Sequence, residues 1–350
     1  MYQWLFKPLS KVIAVIIVII IGTMGLAACS SGGGEVLPAE DDMVTHFIDV
    51  GQADCTLVIS QGEAMLIDAG NRPDEDLILS YLDSVGVDSL KYIVFTHPHE
   101  DHIGSGEAIV SAIDVEKVFM LDEYDEGIEG YLKEEIEYRD IETVEPFPGD
   151  TAKLGECKIE FVGPFYEYSD TNDDSICLKI THGENSMLFT GDAGSEPEKD
   201  MLEAGMDLEV DVLQAGHHGS STSNTYQFLR EVNPRYVVIS CEKGNMYGHP
   251  HRESLGRFND VGAEIFRTDT QGTIVAVSDG MNFEFTPKGK DATRPHIEEF
   301  EDANYIGNVN SRKYHLPTCS GLPAEDNRSY FMTKEAAEDA GYEPCGNCRP

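Results

Sequence analysis

The sequence predicts an α/β fold in which helices cover sheets, and two observations support this. Between 43 and 285, short runs rich in β-branched residues alternate with turn residues and with helix-like stretches. Of the 350 residues, 41% are hydrophobic, which is enough for the core of one large or two modest domains. Alternation of this kind is typical of sheets with helices on their outer faces.

The first residues have the pattern of an export signal. Lys7 and Lys11 precede an apolar run at 12–28 that contains no acidic residue. The run ends in Leu-Ala-Ala followed by Cys29, which resembles the lipobox of bacterial lipoproteins, whose cysteine carries a diacylglycerol. We therefore predict a signal peptide at 1–28 and an extracytoplasmic body anchored to the cell membrane by lipid on Cys29. The alternative is an uncleaved transmembrane anchor, since about 17 apolar residues can span a bilayer.

The rest of the chain divides by composition. A Gly- and Ser-rich tether is predicted at 29–42, a body at 43–287, a charged linker at 288–304 and a small unit at 305–350. In the body, strands are predicted at 44–50, 55–59, 64–68, 92–96, 176–181, 187–190, 210–214 and 236–240, and helices at 74–85 and 105–111.

The strongest functional signal is the run THPHEDHIG at 96–104, directly after an apolar strand. His97, His99, Asp101 and His102 would repel and desolvate one another unless they face cations. Imidazole and carboxylate suit Zn²⁺ or Mn²⁺, and the lack of cysteine in the run disfavours a closed structural zinc site. The sequence therefore predicts a catalytic metal site at the end of this strand.

This run resembles the central signature of the metallo-β-lactamase superfamily, and further superfamily motifs follow the same order. LIDAG at 66–70 is similar to the motif whose aspartate orients the histidines, here Asp68, and FTGDA at 189–193 to the motif of a bridging carboxylate. QAGHHGS at 214–220 is similar to the motif of the last histidine ligand. The resemblance implies an αββα sandwich, followed in this chain by a small α+β domain.

The resemblance also implies a two-metal site. Metal one would take His97 and His99; metal two would take Asp101, His102 and either His217 or His218; Asp192 would bridge the two ions. Two such cations activate a water for hydrolysis and clamp the reacting oxygens, so no nucleophilic side chain is needed. Of the adjacent histidines we favour His218 as the ligand, with His217 near the substrate.

Two further motifs resemble a narrower group of proteins within this superfamily. FIDVGQAD at 47–54 and NMYGHP at 245–250 resemble the hydrolase domain of the ComEC/Rec2 competence proteins and the related phosphorylcholine esterases. Asp49, Gln52 and Asp54 are expected to border the site, or to shape the turn at Gly51. Tyr247 and His249 are expected to meet the substrate, or simply to belong to a folded loop.

One element departs from the superfamily pattern, because metal one lacks its usual third histidine. His182 is the candidate by order, but its predicted turn would lie more than about 20 Å from the metals, at roughly 3.3 Å per residue. We therefore expect it to be a surface turn residue. The partner of Asp192 should instead lie at 172–175, where Asn172 could give metal one an oxygen ligand suited to Mn²⁺. Alternatively, this segment is an Asx-turn.

The C-terminal unit carries a second metal signature. His315 and Cys319, followed by Cys345 and Cys348, form two ligand pairs typical of a tetrahedral structural zinc site. The unit resembles the metal-binding domain of the Ada DNA-repair protein, but His315 replaces the first cysteine, so alkyl transfer is not expected. A disulfide is the alternative in an oxidising exterior, although three cysteines would leave one thiol over.

The resemblances of the body and the tail, together with the export signal, imply a membrane-anchored phosphodiesterase that cleaves DNA with two divalent ions, Zn²⁺ or Mn²⁺. Lys and Arg number 25 against 64 Asp and Glu, a net charge of −39, which disfavours DNA binding without metal ions or a local basic patch. The alternatives are a phosphodiesterase acting on envelope polymers and a non-catalytic DNA-binding surface lipoprotein. No protein partner can be inferred.

Overall fold

The computed structural model describes residues 38–121, 128–289, 305–308, 310–323, 328–331 and 334–350. The predicted signal peptide with Cys29, most of the tether and most of the linker lie outside the described residues. Within the described part of the chain, no helix is both long enough and apolar enough to cross a membrane.

The body and the tail contain the following elements. The strands are β1 (Met43–Phe47), β2 (Thr56–Ser60), β3 (Glu63–Ile67), β4 (Ser89–Val94), β5 (Asp114–Phe119), β6 (Glu142–Val144), β7 (Thr151–Leu154), β8 (Cys157–Gly163), β9 (Cys177–His182), β10 (Asn185–Phe189), β11 (Val212–Gln214), β12 (Tyr236–Ile239), β13 (Glu264–Arg267), β14 (Ile274–Ser278), β15 (Phe283–Pro287), β16 (Tyr305–Asn308), β17 (Lys313–His315), β18 (Arg328–Phe331) and β19 (Glu343–Pro344). The helices are α1 (Glu75–Ser84), α2 (Glu100–Ile103), α3 (Gly106–Ala112), α4 (Ile128–Tyr138), α5 (Ser195–Glu203), α6 (Tyr226–Val232), α7 (Arg252–Asp260), α8 (Thr268–Gln271) and α9 (Lys334–Asp339).

Two mixed sheets form the body. The first has the strand order β15-β14-β1-β2-β3-β4-β5-β6, and the second has the order β13-β12-β11-β10-β9-β8-β7. In the first, β3, β4, β5 and β6 run parallel. In the second, β10, β11, β12 and β13 run parallel. Parallel strands leave their carboxyl ends at one edge, which is where ligands bind in such sheets.

The two sheets pack face to face, with helices outside. Phe47 of β1 and Phe189 of β10 stack across the central core with ring centroids 6.2 Å apart. Ile78 of α1 and Leu132 of α4 belong to a core on the outer face of the first sheet. Leu229 of α6 belongs to a core that covers the second sheet. These layers confirm the predicted αββα sandwich.

The tail is a small α+β unit that packs against the body. Its sheet has the order β18-β16-β17-β19, and its core of buried side chains includes Tyr226 from the start of α6. Asp260 at the end of α7 accepts hydrogen bonds from the hydroxyls of Tyr342, at 2.5 Å, and Ser329, at 2.6 Å. The guanidinium of Arg312 lies 3.4 Å from the same carboxylate. Aromatic packing and one buried acceptor therefore fix the tail to α6 and α7.

Candidate metal centre

The THPHEDHIG run leaves β4 and enters the short helix α2, so its side chains gather at the carboxyl edge of the first sheet. Asp68, just after the parallel strand β3, organises this turn. Its carboxylate accepts hydrogen bonds from the backbone N–H and the hydroxyl of Thr96, both at 2.8 Å, and from Nδ1 of His102 at 2.8 Å. A carboxylate only accepts, so Nδ1 of His102 carries the proton and Nε2 has the free lone pair.

Two further imidazoles of the run meet at one point. Nε2 of His97 lies 3.1 Å from Nδ1 of His99. Two nitrogens that share a tetrahedral zinc at about 2.0–2.1 Å would be roughly 3.3 Å apart, so the observed spacing suits a common ion. His97 is buried, whereas His99 is exposed and faces the solvent side of the site. The predicted pair for metal one is therefore brought together.

Asp192, just after β10, links the two sheets at the site. Its Oδ1 lies 3.3 Å from Nε2 of His102, and its Oδ2 lies 3.9 Å from Nε2 of His97. The sheets approach closely here, because a Cβ on Gly191 would come within 2.9 Å of the side chain of Thr96. Asp192 therefore stands between the two predicted metal positions, as a bridging ligand would.

The adjacent histidines follow β11 in an unusual backbone conformation. His217 and His218 both have a φ of 52°, in the left-handed region that costs non-glycine residues roughly 1–2 kcal/mol each. His218 is buried, and its Nε2 lies 3.2 Å from Oδ2 of Asp101 and 3.8 Å from Oδ1 of Asp192. His217 is partly exposed, and its Nε2 lies 3.4 Å from Oδ2 of Asp192. This geometry favours His218 as the ligand and His217 at the substrate side.

Several buried polar atoms at this centre have no protein hydrogen-bond partner. Among the described residues these include Nε2 of His102, Oδ1 of Asp192 and Oδ1 of Asp54. Ligand atoms of Asp101, His102 and His218 lie within 4.8 Å of one another, and so do those of His97, His102 and Asp192. Buried polar atoms are rarely left without a hydrogen-bond partner. A cluster of such unpartnered atoms is therefore expected where a cation binds. The residues present therefore fit divalent metal ions.

Charges within the centre strongly perturb its titration. Burial acts to raise the pKa of Asp192, but the neighbouring charges of His102 and His218 outweigh it and hold that pKa well below its usual value. Burial acts to lower the pKa of His218, but Asp192 and Asp54 hold it well above the usual value. Protons on the imidazoles thus balance the carboxylates, and a bound metal ion would have to displace them.

The segment predicted to partner Asp192 is in the predicted place. Oγ of Ser175 accepts a hydrogen bond from the backbone N–H of Asp192 at 3.0 Å and lies 3.3 Å from Nδ1 of His97. Oδ1 of Asn172, three residues earlier, is buried without a partner. That orphaned oxygen is compatible with a ligand role for Asn172, which stays a prediction.

The prediction for His182 was right about its place beside a turn and wrong about its exposure. It ends β9 beside a tight turn, as expected, but it is buried rather than at the surface. Its Nδ1 lies 2.9 Å from Oγ of Ser278, on a strand of the first sheet. The neighbouring sheet covers the turn, and local strand reasoning cannot detect such long-range packing.

The residues of the 47–54 and 245–250 motifs form the rim. Asp49 accepts a hydrogen bond from the N–H of Gly51 at 3.3 Å, which fits the turn role foreseen for it. Nε2 of Gln52 lies 3.4 Å from Nδ1 of His249, and the ring of Tyr247 stacks on that of His249 with centroids 5.7 Å apart. The two motifs therefore meet beside the metal centre.

A groove of about 490 Å³ opens next to this rim. Its lining is rich in acidic and polar side chains and includes one exposed aromatic ring: Gln52, Asp74, Glu100, Asp101, Glu242 and Tyr247. Since Asp101 belongs to both, the groove leads directly to the candidate metal centre. It is large enough for a small phosphodiester or one nucleotide unit.

The tail holds the second predicted cluster. Ligand atoms of His315, Cys319, Cys345 and Cys348 all lie within 4.8 Å of one another. No described cysteine is in a disulfide, and Nε2 of His315 is buried without a partner. Hydrogen bonds from the backbone N–H groups of Cys348 and Asn347 lower the pKa of the Cys345 thiol, which favours the thiolate that zinc binds. The cluster therefore fits a closed tetrahedral zinc site.

Comparison with known proteins agrees with both parts of the fold. The family model described as the metallo-beta-lactamase superfamily matches residues 48–242, and the metal-binding domain of Ada matches residues 291–350. "ComE operon protein 3" of Bacillus subtilis is 28% identical over 270 residues, which is 70% of this chain and 33% of the relative. "Competence protein ComA" of Neisseria gonorrhoeae is 28% identical over 252 residues, 71% of this chain and 34% of the relative.

A solved structure also resembles the body. The metallo-beta-lactamase fold protein YhfI from Bacillus subtilis aligns over 68% of this chain and 100% of its own, with a TM-score of 0.47 and 14% identity. The present chain spans about a third of the length of the curated relatives it matches.

Proposed function

Because the chain belongs to the metallo-beta-lactamase superfamily, we propose that it is a metal-dependent phosphodiesterase that cleaves DNA outside the cytoplasm. The observation that carries this proposal is the set of buried orphan atoms on His102, Asp192 and Asp54, which converge beside an open groove. Residues 48–242, which match the superfamily, contain all of these atoms.

The chain's own residues divide the work of the reaction. His97 and His99 would hold one cation, and Asp101, His102 and His218 would hold the other, with Asp192 between them. Bound cations of this kind make water a nucleophile at neutral pH and neutralise charge that develops on a phosphoryl group.

Two neighbours support this arrangement. Asp68 keeps the proton of His102 on Nδ1, so that Nε2 faces the metal position. His217 stands on the substrate side, where its Nε2 is close to Asp192 and partly open to solvent. We assign to Nε2 of His217 the proton that the leaving oxygen needs, because a departing alkoxide requires a general acid.

DNA is the proposed substrate on the basis of the relatives. One of them is named a competence protein, and competence is the uptake of DNA. The tail contributes cations, but Lys313 pairs with Glu343 and Lys334 with Glu338 at the surface. Exposed pairs of this kind are worth only about 0–1 kcal/mol, so DNA phosphates can compete for these lysines.

The groove favours a second candidate. Asp74, Glu100 and Glu242 line it beside Asp101, and the whole chain has a net charge of −39. Such a lining repels a polyanion and attracts a cation. A phosphodiester of an envelope polymer that carries an amine or quaternary ammonium group therefore fits this groove better than DNA does.

One experiment separates these candidates. The purified full chain is incubated with Mn²⁺ or Zn²⁺ and offered single-stranded DNA, double-stranded DNA and small phosphodiesters with and without a quaternary ammonium group. We expect metal-dependent DNA cleavage that falls about 100-fold or more in Asp101→Asn, with little change in Asp83→Asn, an exposed change on α1 outside the groove. Cleavage restricted to the ammonium-bearing esters would favour the second candidate. DNA binding without turnover, retained in Asp101→Asn, would indicate a binding protein.

We also propose that the chain is held to the membrane by lipid on Cys29, with the body outside. The support is the lipobox-like sequence at 26–29 after an apolar run. Cys29→Ala should abolish processing or release the protein from the membrane fraction, as followed by gel mobility and fractionation. Unchanged mobility and unchanged retention would argue against lipidation.

A further inference from the structure

Asp54 is a buried carboxylate at the metal centre to which the ligand assignment above gives no role. Only 3% of its surface is exposed, and its Oδ1 has no hydrogen-bond partner among the described residues. Burying a carboxylate without compensation costs several kcal/mol, so a neighbouring group is expected to balance its charge. It lies in the 47–54 motif, in the loop that follows β1.

The carboxylate of Asp54 faces the imidazole of His218. Oδ1 of Asp54 lies 3.5 Å from Nδ1 of His218, while the opposite ring nitrogen, Nε2, faces Asp101 at 3.2 Å. The backbone carbonyl of Ser240 lies 3.1 Å from the same Nδ1. Both neighbours of Nδ1 are acceptors, so this nitrogen keeps its proton, and Nε2 is the nitrogen that can give up its proton to bind a metal ion.

The backbone of Asp54 is itself fixed to the metal centre. Its N–H donates to the carbonyl of Asp101 at 3.0 Å, and its carbonyl accepts from the N–H of Gly70 at 2.9 Å. These bonds connect the loop of Asp54 to the turns that follow β3 and β4. The carboxylate is therefore held at a constant distance from the ligand run, which a positioning role requires.

We propose that Asp54 is a positioning residue that orients the imidazole of His218 toward the second metal position and raises its basicity. This rests on the metal dependence proposed above. Asp68 makes the corresponding contact with Nδ1 of His102. Both carboxylates lie in loops of the first sheet, and they contact two histidines of the same metal position, one from each sheet. The Ser240 carbonyl and the Asp54 carboxylate together hold Nδ1 of His218, and the negative charge of Asp54 adds ligand strength.

The test measures metal binding and needs no substrate. The metal-free full chain is titrated with Co²⁺ against a chelating dye, and the Co²⁺ absorption spectrum is recorded after each equivalent. The full chain has two metal positions in the body and one in the tail, so three Co²⁺ equivalents are expected. In Asp54→Asn we expect the affinity of one body equivalent to fall about 10- to 100-fold, with the other two equivalents and the metal-free circular dichroism unchanged. Asp49→Asn, in the same loop but away from Nδ1 of His218, is the matched control.

A double-mutant comparison tests whether Asp54 acts through His218. In a His218→Asn background, Asp54→Asn should produce no further loss of Co²⁺ affinity, because the imidazole it supports is gone. Two outcomes would overturn the proposal: wild-type Co²⁺ affinities in Asp54→Asn, or a full additional loss in the His218→Asn background. If Asp54→Asn does not fold, Asp54→Ser gives the same comparison, since it keeps the backbone bonds to Asp101 and Gly70.

This test is independent of the reaction. A chain that binds Co²⁺ at both body positions with the expected pattern but cleaves no phosphodiester would leave the role of Asp54 intact and refute the proposed function. If the chain cleaves phosphodiesters but Asp54→Asn leaves the metal affinity unaltered, the proposed function stands and the role of Asp54 is refuted.

Discussion

Asp68 accepts a hydrogen bond from Nδ1 of His102 at 2.8 Å, while Nε2 of the same ring lies 3.3 Å from Oδ1 of Asp192. Asp68 thus keeps a proton on Nδ1 of His102. Asp192 lies beside Nε2, at the position where a metal ion would bind both residues. Because the ring of His102 is fully buried, no solvent molecule is needed to explain its tautomer. The arrangement is the one in which a histidine binds a metal ion most strongly.

Replacing Asp68 by asparagine should therefore weaken the metal site. An amide at this position can donate a hydrogen bond to Nδ1, which would move the proton to Nε2 and block its lone pair. We expect about 10- to 100-fold weaker metal binding in Asp68→Asn, measured by chelator competition. Asp83→Asn, an exposed change on α1, is the control. Metal affinity equal to that of the wild type would show that Asp68 does not select the tautomer.

The tail zinc site can be removed without touching the body's ligands. Cys345→Ser together with Cys348→Ser deletes two of four ligands, so the bound zinc should decrease by one equivalent per chain, measured by elemental analysis. The tail should also lose its cooperative unfolding, because closed zinc sites contribute folding free energy directly. Cys241→Ser, a buried thiol outside the cluster, should leave the zinc content unchanged.

Asp260 should govern how tightly the tail holds to the body. Asp260→Ala removes the acceptor of the Tyr342 and Ser329 hydroxyls. These hydroxyls can still bond each other at 3.1 Å, so one donor is left unsatisfied, at a cost of about 1–3 kcal/mol if it remains buried. We expect the tail to unfold at a lower temperature than the body, so that calorimetry resolves two transitions where the wild type shows one. Asn259→Ala, the exposed neighbour on α7, should behave like the wild type. A single unshifted transition in Asp260→Ala would contradict this.

His46 should make stability depend on pH. Burial, and to a smaller extent the charge of Lys288, lowers the pKa of His46 from 6.5 to about 4, and its Nδ1 pairs with the hydroxyl of Tyr81 at 2.9 Å. Between pH 6.5 and 4 the unfolded chain therefore binds a proton that the folded chain excludes. The free energy of unfolding consequently decreases as the pH is lowered through this range.

The total loss attributable to His46 is about 3 kcal/mol across that range. Denaturant unfolding of metal-free wild type and His46→Gln, at pH 7 and pH 4.5, isolates this contribution from the other titrating groups. The stability difference between the two proteins should shift in favour of His46→Gln at pH 4.5. A difference that does not vary with pH would refute the assignment.

The fold could be predicted because the motifs fix it at a few places. Asp68, the run at 96–104 and Asp192 each follow a strand, and that spacing is enough to identify the sandwich and to bring the ligands together. The hairpin of β7 and β8 was not predicted. Its sequence is polar on one face and short, so its stability comes from packing on the central core through residues such as Phe161.

Contacts between the sheets were harder to foresee than the ligands themselves. His182 is covered by Ser278 of the other sheet, and Asp54 faces His218 across more than 160 residues of chain. Sequence patterns report which residues share a strand face, but they carry no information about which strand of the second sheet lies opposite. The choice between His217 and His218 likewise depends on left-handed backbone angles that composition does not reveal.

The shared core at Tyr226 has a consequence for the order in which the chain is made. The ring of this body residue is only 4% exposed, and its partners Tyr314, Phe331 and Tyr342 all lie in the tail, which is synthesised after the body. Until the tail emerges, a finished body exposes this aromatic ring to solvent. Premature termination near residue 288 would therefore yield a body that keeps its metal ligands but exposes the apolar surface around Tyr226. Such a molecule would tend to self-associate.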